Sequence, residues 1–469
     1  MLKSICNVNS SLRHVLETIN NEPAGVAFIV DNDKKLCGVI TDGDFRRLLL
    51  AGKSLEENLT KENLGDYIFA NEGENMESLL KRTSKKVRII PIVNDKHEPV
   101  DYFRYEHRLN ITPVAQPDLG GNELKYVTDA VLSTWISSVG KYIDEFENGF
   151  AKFCECKYGV ATSNGTVAIH LALLAVGIVP GDEVIVPDFT FAATANAVLH
   201  ANATPVIVDI DPITWCIDPK EIEKAITPKT KAIIPVHVYG QPCDMDSIMA
   251  IAKKYNLKVI EDCAEAHGAK YKGKVVGSFG DVSCYSFFGN KILTTGEGGM
   301  CVTNSEEVND MMRLLRDHGM NKQKKYWHDI VGYNYRMTNL QAALGCAQLE
   351  RIRELIEQRK AVEQKYMSVL KEFSFVRWQE NVTDREKVTW LVSAWLPNGE
   401  RDRLFEELKK NQIDARPFFY PMSEMPLYKP YVFSAANSQK ISKLGFNLPT
   451  INIEQINFEK VYDAFKNIS

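Results

Sequence analysis

The 469-residue chain is 45% hydrophobic and 25% charged, which is the balance of a globular protein with two or three domains. Its formal net charge of −5 excludes the basic surface that a nucleic acid needs, and ten cysteines without metal or disulfide spacing predict reduced thiols in a cytoplasmic protein that binds no metal. The first residues, MLKSICNVNSS, lack the apolar stretch of a signal peptide, and the longest apolar run, Val167 to Val179, is too short to span a membrane.

The first 107 residues show a repeated β–α pattern. In the first copy, a helix (SLRHVLETIN) precedes two strands (GVAFIV and LCGVIT) and a second helix (DFRRLLLAG). The second, weaker copy has a helix in LGDYIFANEGENMESLLKRT and a strand in VRIIPIV. This arrangement resembles a tandem pair of CBS domains, which implies a regulatory module over residues 1–107.

The segment GVITDGDFRR carries most of that resemblance. In CBS domains, residues placed like Thr41 and Asp44 hold the ribose of an adenosine, so the resemblance implies an adenine nucleotide here. The alternative is that both residues only cap a helix beginning at Phe45. The second copy reads HEPVDYFRY at the equivalent place, so we expect at most one nucleotide site. A dimerising spacer without a nucleotide is the other interpretation of the module.

A second domain begins after His107 to Thr112, where prolines and glycines punctuate the chain. The loop STWISSVG then precedes an amphipathic helix, YIDEFENGFAKF. Downstream, SNGT (Ser163 to Thr166) opens a long apolar helix. The free N–H groups and the positive dipole end of such a helix suit a phosphate, although SNGT could equally be an ordinary N-cap.

Two βαβ units follow and predict a parallel sheet. The first is EVIVPDFTFAATANAVLHANATPVIVDID, and the second runs from KAIIPVHVYG to LKVIED. Asp262 stands at the carboxyl end of LKVIED, where ligands bind in open α/β sheets. A helix cap or an ion pair is the alternative role for this carboxylate.

The stretch SCYSFFGNKILTTGEGGMCVT organises the rest of the chain. A strand over Val282 to Phe288 ends at a turn, Lys291 follows, and a glycine-rich segment leads into a second apolar run. Burial and cationic neighbours lower the pKa of such a lysine, and its amine can then form a Schiff base with a carbonyl. Beyond it, the apolar spacing of MTNLQAALGCAQLERIRELIEQRKAVEQKY predicts one long helix.

From about Ile111 to the C-terminus, these motifs resemble the DegT/DnrJ/EryC1/StrS family of sugar aminotransferases, and SFFGNKILTTGEGGM resembles its cofactor-lysine signature. YWHDIVGYNYRMTNLQAALGCAQLE is most similar to the GDP-perosamine synthases within that family. The resemblance implies an α/β protein of pyridoxal phosphate (PLP) fold type I, like aspartate aminotransferase. A large PLP-binding domain would cover residues 111–375 and a small C-terminal α/β domain residues 376–469.

The resemblance also implies roles for individual residues. Lys291 would bind PLP as a Schiff base, and Asp262 would pair with the ring nitrogen. Glu265 lies where many relatives have a glutamine that faces the cofactor's phenolic oxygen, so it must be protonated or turned towards substrate or Lys291. The remaining cofactor contacts would be Gly165, Thr166 and Ser286 at the phosphate, Phe191 over the ring, with a core phenylalanine as the alternative, and Asn334 at the phosphate of the neighbouring subunit.

Asn334 therefore implies a homodimer with shared active sites. Four further residues are substrate-contact candidates, each with an ordinary structural alternative. They are Trp135 (core or dimer packing), His237 (a packed histidine), His328 (a solvated loop histidine) and Arg416 (a surface ion pair). Arginine suits an anionic donor or nucleotide because it binds oxyanions bidentately.

The activity implied is ping-pong transamination. L-Glutamate would give its amino group to the cofactor, and a nucleotide-linked 4-keto-6-deoxy sugar would accept it, giving a GDP-perosamine-like 4-amino sugar for surface polysaccharide. A UDP- or dTDP-linked sugar, or amination at C3, are alternatives within the enzyme class. A nucleotide-sensing regulator on an inactive aminotransferase scaffold is the alternative from another class.

Overall fold

The computed structural model describes residues 4–21, 25–74, 76–84, 87–104, 111–321, 323–380 and 382–469. The chain divides into two compact units, Met1–Leu109 and Asn110–Ser469. Within the described ranges, no helix combines the length and the apolar character that crossing a membrane requires.

The N-terminal unit contains the predicted repeat as two three-stranded sheets. The first copy consists of β1 (Ile5–Asn7), α1 (Leu12–Asn21), β2 (Val26–Val30), β3 (Leu36–Thr41) and α2 (Asp42–Leu50). The second consists of β4 (Ala70–Asn71), α3 (Met76–Arg82), β5 (Ile89–Val93) and β6 (Pro99–Arg104). In each sheet a parallel pair is followed by an antiparallel hairpin. The copies share an apolar cluster, in which the rings of Phe28 and Tyr102 are 5.8 Å apart.

The larger unit alternates strands and helices. Its first half consists of α4 (Glu123–Leu132), α5 (Lys141–Phe153), β7 (Tyr158–Thr162), α6 (Gly165–Ala175), β8 (Glu183–Pro187), α7 (Ala193–His200), β9 (Thr204–Val208), α8 (Pro219–Ala225), β10 (Thr230–Ile233), α9 (Met245–Tyr255) and β11 (Lys258–Asp262). The second half consists of β12 (Lys270–Tyr271), β13 (Lys274–Val275), β14 (Val282–Ser286), β15 (Gly299–Thr303), α10 (Glu306–Arg316), α11 (Asn339–Glu350) and α12 (Ile352–Val369).

Seven of these strands form one sheet in the order β7-β15-β14-β11-β10-β8-β9. Every strand except β15 runs in the same direction. The parallel sheet predicted from the two βαβ units is confirmed for β8, β9, β10 and β11. Strand β15 runs the other way because the glycine-rich segment after Lys291 returns the chain beside β14 without a crossover helix. Helix α6 packs against β14 and β15, and its residues Ala168 to Leu173 are all buried. Its apolar character on all sides follows from that central position.

The C-terminal region forms a smaller α/β layer. Its elements are β16 (Arg377–Trp378), β17 (Arg385–Glu386), β18 (Val392–Trp395), α13 (Arg401–Lys410), β19 (Arg416–Pro417), α14 (Ala436–Leu444), β20 (Gly445–Leu448) and α15 (Phe458–Lys466). Four of the strands form an antiparallel sheet in the order β16-β18-β20-β19. Strands β18 and β20 share an apolar core with α12, α13 and α15.

The long helix expected after Met337 is two helices, α11 and α12, and this prediction was wrong at one residue. Arg351 lies between them with φ −107° and ψ 6°, outside the helical region. Its guanidinium reaches Asp118 at 3.3 Å and Glu354 at 2.8 Å. The break thus coincides with an ion-pair cluster that ties the helices to the first segment of the unit, and apolar spacing carries no information about that cluster.

Candidate active site

A cavity of about 710 Å³ opens beside the carboxyl ends of β11 and β14. The N-terminus of α6 lines it, together with residues of the C-terminal region that include Trp390 and Arg416. Eight of the residues singled out in the sequence line this one space. They are Gly165, Thr166, Phe191, Asp262, Glu265, Ser286, Lys291 and Arg416. Motifs from Gly165 to Arg416 therefore meet at a single site. It lies beside the carboxyl ends of the strands, where ligands bind in open α/β sheets.

Lys291 is the amine of this cavity. Its side chain is 11% exposed, and Nζ lies 3.6 Å from Glu265 Oε1 and 3.7 Å from the centre of the Trp390 ring. Burial lowers the pKa of Lys291, whereas the carboxylates of Glu265 and Asp262 act in the opposite direction. The lower pKa enlarges the fraction of neutral amine, which is the form that attacks a carbonyl or accepts a proton.

Asp262 is a buried carboxylate at the end of β11. Its Oδ2 accepts a hydrogen bond from the Thr194 hydroxyl at 2.8 Å, and its Oδ1 accepts one from the Ala264 N–H at 3.1 Å. Burial raises the pKa of Asp262, and these donors partly offset the rise. A cationic partner would stabilise the charged form further, so the residue is suited to pair with a protonated ring nitrogen.

Glu265 is turned towards Lys291, one of the two orientations considered from the sequence. Its Oε2 accepts a hydrogen bond from the Tyr239 N–H at 2.8 Å. Tyr239 has φ +51°, and Gly240 follows with φ +88°; a Cβ on that glycine would meet the Val388 carbonyl oxygen at 1.9 Å. Burial raises the pKa of Glu265 to about 7. The carboxyl group can therefore both hold and release a proton near neutral pH.

The part of the cavity formed by the start of α6 suits a phosphate. Asn164 caps α6 by accepting the Val167 N–H at 3.0 Å, so Gly165 and Thr166 form the first turn of an 11-residue helix. A Cβ on Gly165 would lie 2.8 Å from the Cβ of Ser286, which shows how closely the helix approaches β14. The helix therefore presents free N–H groups and a positive dipole end beside a serine hydroxyl, an arrangement that binds anions.

Phe191 presents its ring at the cavity wall, where it is 60% exposed and 6.0 Å from the ring of Phe419. The core-phenylalanine alternative therefore does not describe it. The cavity thus combines four groups that fit PLP. The anion cup suits its phosphate, the amine of lowered pKa its aldehyde, the strand-end carboxylate its ring nitrogen, and the accessible aromatic ring its ring face. Together with Ser286, the residues Gly165, Thr166, Phe191, Asp262 and Lys291 could hold that group.

The structure places His237 elsewhere, and its interpretation as a cleft residue was wrong. The side chain is fully buried, with Nε2 3.1 Å from Glu261 Oε2 and Nδ1 3.0 Å from the Cys243 N–H. Both ring nitrogens are thus engaged inside the protein. The strand-end rule located the residue near the sheet edge, but Glu261 on the neighbouring strand draws the ring inwards.

Three other candidates lie outside this cavity in the single chain. Trp135 is 58% exposed, and both Asn334 and His328 are also exposed. His328 Nδ1 lies 2.9 Å from the His318 carbonyl oxygen. The predicted role of Asn334 concerns a second copy of the chain, so it stays a prediction.

Several residues of the site escaped the sequence analysis. Thr194 orients Asp262, Tyr239 orients Glu265, and Trp390 and Arg359 contact the lysine segment. Thr194 could have been found, because it lies on the first turn of α7, only three residues beyond Phe191. Trp390 and Arg359 had no such signal, since they lie in segments far along the chain.

In the N-terminal unit, Thr41 and Asp44 form a capping box at the start of α2. The helix begins at Asp42 rather than Phe45 because Asp44 Oδ2 accepts the Thr41 N–H at 3.0 Å from the third helical position. Arg47 also donates to Asp44 Oδ1 at 2.6 Å. The capping alternative is therefore realised, and the nucleotide role remains a prediction.

Comparison with known proteins agrees with this geometry. A profile of the DegT/DnrJ/EryC1/StrS aminotransferase family matches residues 117–466, and a CBS domain profile matches residues 5–51. The GDP-perosamine synthase of Caulobacter vibrioides is 48% identical over 365 residues, covering 76% of this chain and 97% of that protein.

Two solved structures are also similar. S. venezuelae DesV, in complex with a ketimine intermediate, superposes with a TM-score of 0.69 at 32% identity and covers 74% of this chain and 94% of its own. The PLP form of the sugar aminotransferase Spr1654 from Streptococcus pneumoniae, described as putative, superposes with a TM-score of 0.71 at 27% identity, covering 76% and 100%.

Proposed function

Because the chain belongs to the DegT/DnrJ/EryC1/StrS family and is a PLP-dependent sugar aminotransferase, we propose that it transfers an amino group from L-glutamate to a GDP-linked 4-keto-6-deoxy sugar. The product would be a 4-amino-4,6-dideoxy sugar nucleotide of the perosamine type, made for a surface polysaccharide. The observation that carries this proposal is the convergence of Lys291, Asp262, Glu265 and the α6–Ser286 cup on one cavity. The expectations of fold type I and of PLP as cofactor are confirmed.

When bound, PLP supplies the electron sink that allows an amino group to move between two carbon atoms. Gly165, Thr166 and Ser286 would hold its phosphate, Asp262 its ring nitrogen, and Lys291 its aldehyde end. Phe191 would cover one face of the ring. Each of these assignments uses a residue that lines the cavity.

Lys291 is the residue that moves the proton. Burial favours the neutral amine. This amine would take a proton from the α-carbon of the amino donor and deliver it to the carbon atom that was the aldehyde carbon of the cofactor. In the second half of the reaction, the same nitrogen would deliver a proton to C4 of the sugar. Glu265, 3.6 Å from this nitrogen, would share that proton because the pKa of its own carboxyl is about 7.

The GDP-linked sugar is proposed on the relatives and on the cavity together. The similar protein of Caulobacter vibrioides is named a GDP-perosamine synthase. Arg416 lines the cavity with a side chain that is 59% exposed and 3.7 Å from Asp414, so its guanidinium is available to a diphosphate. Trp135 and His328 remain candidates for contacts to the same substrate.

The direct test is a substrate panel. Purified protein with PLP and L-glutamate would be offered GDP-, UDP- and dTDP-linked 4-keto-6-deoxy sugars, with products identified by mass and NMR. We expect 2-oxoglutarate and a C4 amine on the GDP sugar, and no product from Lys291→Ala. A preference for UDP or dTDP, or amination at C3, would contradict the proposed substrate. A protein that neither binds PLP nor aminates any sugar would support the regulatory-scaffold alternative.

We also propose a homodimer in which Asn334 reaches the cofactor of the partner copy. Asn334 is exposed and is flanked by the stacked rings of Tyr333 and Tyr335, 4.8 Å apart. Shared sites predict complementation. Lys291→Ala and Asn334→Ala proteins, each inactive or weak, would regain activity when mixed, because the hybrid dimer contains one intact site. The absence of any gain in a verified hybrid dimer would contradict shared sites.

For the N-terminal unit, we propose an adenine nucleotide near Thr41 and Asp44. The match to a CBS profile over residues 5–51 supports this assignment. The second repeat lacks the corresponding pair of residues, so one nucleotide per chain is expected.

A further inference from the structure

Two hydrogen bonds from later parts of the chain reach the peptide of the reactive lysine, and a third joins their two donors. The Trp390 indole N–H donates to the Asn290 carbonyl at 2.9 Å. Arg359 donates to the Lys291 carbonyl at 3.0 Å and to the Trp390 carbonyl at 2.5 Å. The three hydrogen bonds form a closed circuit, so the backbone that carries the amine is fixed by two side chains from distant elements.

The ring of Trp390 also faces the amine itself. Nζ of Lys291 is 3.7 Å from the ring centre. Trp390 is 4% exposed and packs against the nearly parallel rings of Tyr239 and Phe419, at 5.9 Å and 6.1 Å, with interplanar angles of 16° and 25°. Because these neighbours hold the indole in place, its electron-rich face is a preformed site for an ammonium group.

We propose that Trp390 is a positioning residue for Lys291: its indole N–H fixes the peptide of the lysine, and its ring face holds the amine in the protonated form between proton transfers. The inference rests on the proposed function only in treating Lys291 as the reactive amine. The Trp390 ring would be the partner of that amine while the amine is free of the cofactor and carries a proton.

The need for such a partner follows from the electrostatics of the site. The Lys291 ammonium loses its water on burial, and Arg359 repels it, whereas Glu265 and Asp262 attract it. Burial and the charge of Lys291 lower the pKa of nearby His267 to about 3, so this imidazole is neutral. A tight carboxylate pair alone would trap the proton on the lysine. A ring face attracts the cation without a directional hydrogen bond, so the amine can move between its partners.

The test measures the pKa of Lys291 in full-length protein without PLP, glutamate or sugar. The rate of acylation of this one amine, read by peptide mass spectrometry across a pH series, reports its neutral fraction. Trp390→Leu should lower that pKa by about 0.5 to 1 unit, because the cation loses its aromatic partner while the site stays apolar. The pKa of Lys291 in Trp390→Phe should lie between its values in Trp390→Leu and in the wild type. Trp395→Leu, a change to a partly buried tryptophan of the same region, should leave the pKa unchanged.

An unchanged or raised pKa in Trp390→Leu would overturn the proposal, because a ring that only fills space would admit water on removal and raise the value. A second measurement covers the case in which the leucine variant does not fold. Replacing the six tryptophans with mono- and difluorinated tryptophan preserves shape and N–H donors but weakens the ring quadrupole. The pKa should then fall with each added fluorine, and an unchanged pKa would again contradict the role. Both readouts are independent of which sugar, if any, the enzyme aminates.

Discussion

Replacement of Glu265 by glutamine removes a buried charge and keeps the shape of the side chain. Burial raises the pKa of Glu265 from an ordinary 4.5 to about 7. Between these values, the folded chain holds a proton that the unfolded chain has released. The folded state therefore loses stability as the pH rises from 4.5 through 7, and at about 1.4 kcal/mol per pH unit the loss approaches about 3 kcal/mol.

Glutamine cannot lose a proton, so the variant should escape this loss. Melting temperatures of PLP-free wild-type and Glu265→Gln protein would be compared from pH 5 to pH 8. We expect the difference, variant minus wild type, to grow by a few degrees across this range, because the entropy of unfolding makes 1 kcal/mol worth roughly 1–2 °C in a unit as long as Asn110–Ser469.

An exposed carboxylate serves as the control. Glu386 is 66% exposed in a 3.9 Å ion pair with Lys270, and Glu386→Gln should shift the melting temperature by the same small amount at every pH. A melting-temperature difference between Glu265→Gln and wild type that stays constant or shrinks as the pH rises would refute a raised pKa of Glu265. Such a result would mean that the carboxyl group ionises at its ordinary pKa despite its burial.

The remaining predictions concern the cofactor cup, the strand-end carboxylate and the N-terminal unit. Gly165→Ala should weaken PLP binding at least tenfold by absorbance titration, because its Cβ meets Ser286, and normal affinity would contradict the assigned cup. Thr194→Val should also weaken binding, by about tenfold, since Asp262 loses a hydrogen bond worth about 1–2 kcal/mol. Thr214→Val is the control, because it removes a buried threonine hydroxyl that donates to Asp211 instead, and equal losses in both would argue against a specific role for Thr194. Thr41→Ala should cost about 1 kcal/mol of helix stability. The same change should abolish the heat of AMP or ATP binding that calorimetry of the full chain detects. The absence of any heat with the wild type would contradict a nucleotide site.

Much of the site could be predicted from the sequence because its parts are local. Lys291, Asp262 and the SNGT turn each stand at the end of a strand or the start of a helix, and parallel strands bring such ends to one edge of a sheet. The repeat of the N-terminal unit was visible for the same reason, since each copy is a continuous segment.

The features that were missed or misread depend on contacts between distant segments. Trp390 and Arg359 reach Lys291 from positions that no spacing rule connects to it, and Glu261 decides where His237 points. The break at Arg351 likewise depends on carboxylates of other turns. Periodicity and strand-end rules describe what a segment can do, but the partner of a buried polar group is chosen by the folded arrangement.

The cofactor bond to Lys291 can be tested by reducing the PLP-loaded protein with borohydride and mapping its peptides. We expect loss of the visible absorption band and a single pyridoxyl group on Lys291, with none in Lys291→Ala. A pyridoxyl group on another lysine, or full-length wild-type protein that takes up no PLP, would contradict this bond.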